Sequence, residues 1–323
     1  MSTSAFDAII GHAWARRLLQ TALGSGRLAQ SHLIVGPPQV GKTAMARALA
    51  AEALAARAGN ADRARTLALG GRHPDLAWVA PDDGGSIKVE TIRNLLHALA
   101  LAPVEGGARV AVIDQADAMT DGARNALLKT LEEPNPSVVI LLTAPNVDSL
   151  IPTIVSRCQT LSLRAVATDD IDAALRARGL APERASQLAR AARGCPGWAL
   201  SAVNSESLFA ARAQRRRDLI GLLSASRTDR LLFSEKLGRA GEDEEREAML
   251  QTWQGLWRDL ARAAAPGGAA DPEISALAQR IGPRTAFAAA RDTREAMKRL
   301  RENARPQLVF DALLLRYPRL AAG

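Results

Sequence analysis

The sequence predicts an α/β protein with an all-α continuation, and three observations carry that reading. Continuous apolar runs recur at 33–35, 76–80, 110–113 and 138–142, with amphipathic stretches between them. Strands of a parallel sheet covered on both faces show that pattern. The first run leads into Gly36-Pro-Pro-Gln-Val-Gly41-Lys42-Thr43, a full match to G-x-x-x-x-G-K-[ST], and a helix-prone Ala-rich run follows. That strand–loop–helix setting is the one a phosphate cradle requires. Beyond residue 165 the strand pattern stops, and the chain reads as helices to its end.

Composition narrows the function classes. A length of 323 residues suggests two or three domains. Hydrophobic residues make up 47% but aromatics only 3%, so the core is built from Ala, Leu, Val and Ile, which favours packed helices. The net charge of +8, carried mostly by Arg, suits anionic partners such as nucleic acid or nucleotide. A biased base composition raises Ala and Arg together and produces the same balance, so charge alone assigns nothing. Aromatics are not interleaved with the arginines, which argues against a stacking platform for single strands. The two cysteines, Cys158 and Cys195, form no C-x-x-C. That excludes a disulfide framework and a four-cysteine zinc site and fits a reducing compartment. The first residues lack the basic and apolar regions of a signal peptide, and no run approaches a membrane span. The expectation is a cytoplasmic protein with no membrane partner.

In chain order, a helix is expected over 13–25, with Trp14, Leu18, Leu19 and Ala22 at helical spacing. The first strand and the phosphate loop follow, then a helix to about residue 58. Residues 59–75 are polar and Arg-rich and read as a loop or short insertion. A strand at 76–80, a turn at 81–86 and an amphipathic helix over 89–101 come next. The strand 109–113 ends in Asp114, and a helix over 121–133 is stopped by Pro134. The strand at 137–143 ends in Thr143, and a last short strand falls at 159–163. Helices are expected over 168–178, 182–193 and 197–205, a loop over 261–271, and helix nearly everywhere else. The domains expected are an α/β domain at 1–165, a small helical lid at 166–205 and a helical domain at 206–323.

Ligands in such sheets bind where strands end, and Gly36, Asp114 and Thr143 all lie at strand ends. Gly36 and Gly41 let successive backbone N–H groups turn toward one anion, assisted by the positive end of the helix that starts near Lys42. Lys42 would reach the β and γ phosphates, and the Thr43 hydroxyl would hold Mg²⁺. An apolar strand ending in Asp114 is the second half of a nucleotide site, with Asp114 on the metal side. Hydrolysis also needs a carboxylate to deprotonate water. The residue after Asp114, where that group normally stands, is Gln115, which cannot accept the proton. Arg157, in Ser156-Arg157-Cys158 just before the last strand, is placed where a guanidinium could meet a neighbouring subunit's γ-phosphate. A structural arginine paired with a carboxylate is the equal alternative.

Three segments in order carry a resemblance: 114–119 (Asp-Gln-Ala-Asp-Ala-Met), 125–134 (Asn-Ala-Leu-Leu-Lys-Thr-Leu-Glu-Glu-Pro) and 153–158 (Thr-Ile-Val-Ser-Arg-Cys). The chain resembles the bacterial clamp-loader subunits of the AAA+ superfamily, closely over about 5–205 and more loosely beyond. The resemblance implies a P-loop AAA+ domain, a lid and a C-terminal collar through which subunits form a pentameric ring. It implies that the segment with Ile10 lies by the adenine and that Arg157 acts in trans on a neighbouring ATPase. It implies partners of the gamma/tau and delta kind, primed DNA held by the complex and, indirectly, the sliding clamp. Arg93 and Arg124 stand near the starts of helices that face DNA in the family, although a solvated helix face fits them as well.

Two features separate this chain from the family's motor subunits. Motors carry Glu after the metal-binding Asp, where this chain has Gln115, and Arg in the lid, where it has Gly197. The expectation is a subunit that keeps the finger and binds ATP or ADP with Mg²⁺ without hydrolysing it. Many members hold zinc with four cysteines after the phosphate-loop helix; residues 59–72 contain none, so no zinc is expected. The alternatives are a motor subunit or other AAA+ ATPase that turns over ATP itself, and a stand-alone DNA-binding or regulatory module.

Overall fold

Each apolar run forms a strand, and all five strands pair in parallel. They are β1 (Ser31–Val35), β2 (Leu76–Val79), β3 (Arg109–Ile113), β4 (Val138–Ala144) and β5 (Gln159–Ser162). Their order across the sheet is β2-β3-β4-β1-β5, the parallel sheet that the apolar runs imply. β1 and β4 lie at the centre and are buried along their whole lengths, which is why they show no alternation. The edge strand β5 buries only Leu161. The computed structural model describes residues 4–82, 85–105, 107–240, 243–265, 272–302 and 304–320. Part of the turn expected at 81–86 and of the loop expected at 261–271 lies outside these residues.

Two helical layers cover the sheet, and successive strand residues point into opposite ones. On one side α1 (Ala13–Gly24) and α2 (Lys42–Ala55) pack with Phe6 against Ile34, Val110, Val112 and Leu141. On the other, α4 (Val89–Ala100), α5 (Asp121–Glu132) and the single-turn α6 (Pro152–Val155) cover Leu33, Ala111, Ile113, Ile140 and Leu142. Small side chains let α2 lie close: Ala46, Ala48, Ala50 and Ala51 are at most 1% exposed.

One sequence expectation needs correction. Residues 61–69, read as a loop, form α3 (Ala61–Leu69), capped by the Asn60 side-chain Oδ1 accepting from the Arg63 amide. Its buried face is only Ala64 and Ala68, an i, i+4 pair too small to register as an apolar stripe. Arg65 ties the helix to Glu52 of α2 through its Nε and Nη2, both at 3.1 Å. Within α1 the inward residues are Ala15 and Leu19, whereas Trp14 and Leu18 are each 46% exposed.

The chain divides into two compact units, residues 1–204 and 205–323. The first closes with α7 (Thr168–Arg176), α8 (Pro182–Ala192) and α9 (Pro196–Val203). The second consists, among the described residues, of α10 (Glu206–Ser224), α11 (Arg227–Ala240), α12 (Asp243–Ala263), α13 (Pro272–Ile281), α14 (Pro283–Arg301) and α15 (Pro306–Arg316). Its core centres on Trp253 and Trp257 of α12, both fully buried, with Phe310 edge-on to Trp253 at 6.2 Å and Tyr317 edge-on to Trp257 at 5.1 Å. The unit also buries a cation: Arg230, 4% exposed, donates to the carbonyls of Leu222, Leu223, Leu314, Tyr317 and Pro318. These lie at the C-terminal ends of α10 and α15, so one guanidinium satisfies carbonyls that a helix end leaves open.

Candidate nucleotide site and a surface arginine

The phosphate loop is held by its surroundings before any ligand is considered. The Gly36 amide donates to the Ala144 carbonyl at the end of β4 (3.3 Å). A Cβ on Gly36 would lie 2.6 Å from the Leu163 carbonyl oxygen just past β5, so only glycine lets the last strand pass that close. Gly41 has φ +113°, open to glycine alone, and starts α2. Its neighbour Val40 is fully buried, and the Val40 carbonyl meets His12 Nε2 at 3.0 Å. Lys42 lies across the mouth of the loop with Nζ donating to the carbonyls of Gly36 (2.8 Å) and Pro37 (3.1 Å).

Asp114 and its partners occupy the adjoining strand ends. The Asp114 amide donates to the Val79 carbonyl, which seats the carboxylate where β3 leaves the sheet. The Thr43 hydroxyl reaches both carboxylate oxygens at 3.1 Å. The Thr143 hydroxyl donates to Asp114 Oδ1 and accepts from the Gln115 amide at 2.9 Å. Thr143 is fully buried, so it bears on a nucleotide through Asp114 and not by touching it. The sheet therefore brings Gly36, Gly41, Lys42, Thr43, Asp114 and Thr143 together. The oxygen pair of Thr43 and Asp114 beside the Lys42 ammonium fits a nucleotide with Mg²⁺, a hard cation that takes oxygen ligands. When bound, that ion would neutralise phosphate charge; this chain's part is to orient the phosphates through the loop amides and Lys42.

Gln115 follows with φ +57° and its side chain exposed. Ile10 is 8% exposed, in a segment that packs on the chain just before α7: a Cβ at Gly11 would come within 2.5 Å of Val166. The start of α9 touches the phosphate loop directly. The Gly197 amide donates to the Gln39 carbonyl at 2.9 Å, and a Cβ at Gly197 would lie 2.9 Å from that same oxygen. A side chain at Gly197 would force the loop or the helix to shift. Sequence reasoning marked Gly197 as an absent arginine and missed it as a contact, because the contact is between backbones.

Arg157 sits at the end of α6, away from the loop. Its Nη2 lies 2.6 Å from Glu132 Oε1 at the end of α5, and its Nη1 donates to the Thr153 carbonyl at 2.8 Å. The side chain remains 32% exposed. It is thus paired with a carboxylate in its own subunit and still open to solvent. The following Cys158 is buried enough to push its thiol up to about 12. Arg93 is exposed on α4, whereas Arg124 is braced inside, with Nη1 on Asp121 (3.1 Å) and Nη2 on the Asp117 carbonyl (3.0 Å). Among the described residues no group of three or more His, Cys, Asp or Glu side chains could hold a metal, and no helix is long and apolar enough to cross a membrane.

Comparison with known proteins supports the motif reading. The family model described as "DNA polymerase III, delta subunit" matches residues 11–167. The chain is 35% identical over 151 residues to DNA polymerase III subunit delta' of Pseudomonas aeruginosa, covering 45% of this chain and 46% of that one. It is 33% identical over 181 residues to the delta' subunit of Bacillus subtilis, covering 54% of each. It is also 36% identical over 208 residues to subunit tau of Escherichia coli, covering 61% of this chain and 32% of tau. The chain thus spans about half the length of the delta' relatives it matches. Over its phosphate-loop domain the chain is therefore similar to DNA polymerase III clamp-loader subunits, the delta' subunits among them.

Proposed function

We propose that the chain is a clamp-loader subunit that does not hydrolyse ATP and that lends Arg157 to the ATP site of a neighbouring gamma/tau-type subunit. In this reading residues 1–165 form the nucleotide-binding domain, 166–205 the lid and 206–323 the collar that joins it to gamma/tau and delta partners. Primed DNA and the sliding clamp are met through the assembled complex, with Arg93 the better placed of the two arginines for a phosphate contact.

The observation that carries the reading is the contrast within one site. The groups that grip a nucleotide converge, while the group that would deprotonate water is replaced by Gln115, a residue with no basic oxygen. The Gly197–Gln39 contact supports it, since a side chain at Gly197 would meet the Gln39 carbonyl. An arginine delivered in trans accounts for a factor of roughly 10³–10⁵ in related NTPases. The test is the ATPase of the reassembled complex carrying Arg157→Ala. A fall of several orders is expected with the partners still bound, and an unchanged rate would remove the proposed role.

A further inference from the structure

Arg157 does not hang free, and what holds it has a direction. The guanidinium is gripped on its Nη1/Nη2 end from two elements: Thr153 of α6 supplies a carbonyl at 2.8 Å and Glu132 of α5 a carboxylate at 2.6 Å. Ser156 Oγ adds a longer contact at 3.4 Å. Among the described residues the Nε–H edge has no partner, so one edge of the fork is clamped and the other is left for an incoming anion.

The placement of Glu132 adds to this. It is the last residue of α5, followed by Glu133 and Pro134. A helix C-terminus is the end at which a carboxylate is least favoured. Glu132 is half exposed, 50% by side-chain area, so burial does not force the pair together. α6 is a single turn seated by the fully buried Ile154 and by Leu150 at 6% exposure. That seating fixes the Arg157 backbone and leaves its long side chain to be aimed by whatever it bonds.

We propose that Glu132 is the positioning residue for the finger: it holds the Arg157 guanidinium with its Nε–H edge turned outward, toward the phosphates of the neighbouring subunit. This rests on the trans role of Arg157 given above. A carboxylate serves better than a neutral acceptor because the charge-assisted bond is shorter and stronger. A finger held loosely loses rate because positioning errors of about 1 Å cost up to about a hundredfold.

The experiment is steady-state ATP hydrolysis by the complex reassembled with its gamma/tau and delta partners. Five forms of this chain are compared: wild type, Arg157→Ala, Glu132→Ala, Glu132→Gln and Glu132→Ala/Arg157→Ala. Glu132→Ala is expected to lower kcat about 10- to 100-fold with KM for ATP and complex assembly unchanged. Glu132→Gln, which keeps an acceptor, should recover part of the loss. The double variant should match Arg157→Ala, since an aiming residue has no effect once the finger is gone. If Arg157→Ala lowers kcat while Glu132→Ala does not, the positioning role is overturned and the finger stands. If Arg157→Ala has no effect, the trans role itself fails. If Glu132→Ala lowers the rate equally with and without Arg157, or only by weakening assembly, Glu132 is a structural residue and the proposal fails.

Discussion

Gly197→Ala is a one-carbon change whose cost can be worked from the backbone. The new Cβ would stand 2.9 Å from the Gln39 carbonyl oxygen and 3.3 Å from Gln39 Cβ. Neither neighbour is the loose end of a flexible chain: Gln39 is a phosphate-loop residue held at φ +59°. Overpacking of this kind costs about 1–3 kcal/mol, and losing the Gly197 N–H to Gln39 bond adds about 0.5–1.5 kcal/mol. If the first unit absorbed the whole of about 2–4 kcal/mol, its melting temperature would fall by roughly 5–15 °C. The cheaper response is for the N-terminal turn of α9 to lift from the loop. The expected result is therefore a modest fall in melting temperature with faster amide exchange at residues 196–199 and at the phosphate loop. The assays are differential scanning calorimetry and hydrogen–deuterium exchange with peptide resolution. Wild-type exchange at both segments together with an unchanged melting temperature would refute the claim that a side chain at Gly197 forces the loop or the helix to shift.

Other consequences follow from particular side chains. Arg230→Met leaves five carbonyls without their donor; with a penalty of about 3–5 kcal/mol the C-terminal unit should melt on the order of 10–20 °C lower, measured by circular dichroism, and a shift under 3 °C would contradict the buried-cap role. Burial alone would raise the Glu52 carboxyl, but hydrogen bonds from Arg65, the Ala5 amide and the Ser4 hydroxyl outweigh it and hold it below the usual range. A carboxyl lowered on folding adds stability above its unfolded value of about 4.3 and loses it as pH falls through the folded value. Urea titrations from pH 6 to pH 3 should therefore show a steeper loss for wild type than for Glu52→Gln. Cys158, pushed up to about 12 by burial, should stay unmodified by iodoacetamide at pH 8 in the native chain and react on unfolding, as read by peptide mass mapping; rapid native labelling would count against its burial.

Much of the first unit was legible because its signals are local. Four apolar runs and one short edge segment gave five strands, and the phosphate-loop consensus placed Gly36, Gly41, Lys42 and Thr43 on one turn. Asp114 and Thr143 could be joined to it because parallel strands end on one side. The features that escaped have no pattern along the chain. α3 buries two alanines and is held by an ion pair to Glu52, so its polar sequence read as a loop. Gly197 meets Gln39 through backbone atoms, which residue types do not encode. Glu132 and Arg157 are 25 residues apart and meet only because α5 and α6 end together. Trp14 and Leu18 fell at helical spacing with the true core residues, and spacing alone does not tell one apolar stripe from its neighbour.

The central claim is that this chain is equipped to hold a triphosphate but lacks the group that would break it. Phosphate release by the purified chain alone, at saturating ATP and Mg²⁺, tests that most directly. The account predicts a rate no greater than that of the Lys42→Ala variant measured alongside. Sustained turnover that Lys42→Ala abolishes would contradict it and make the chain a motor in its own right.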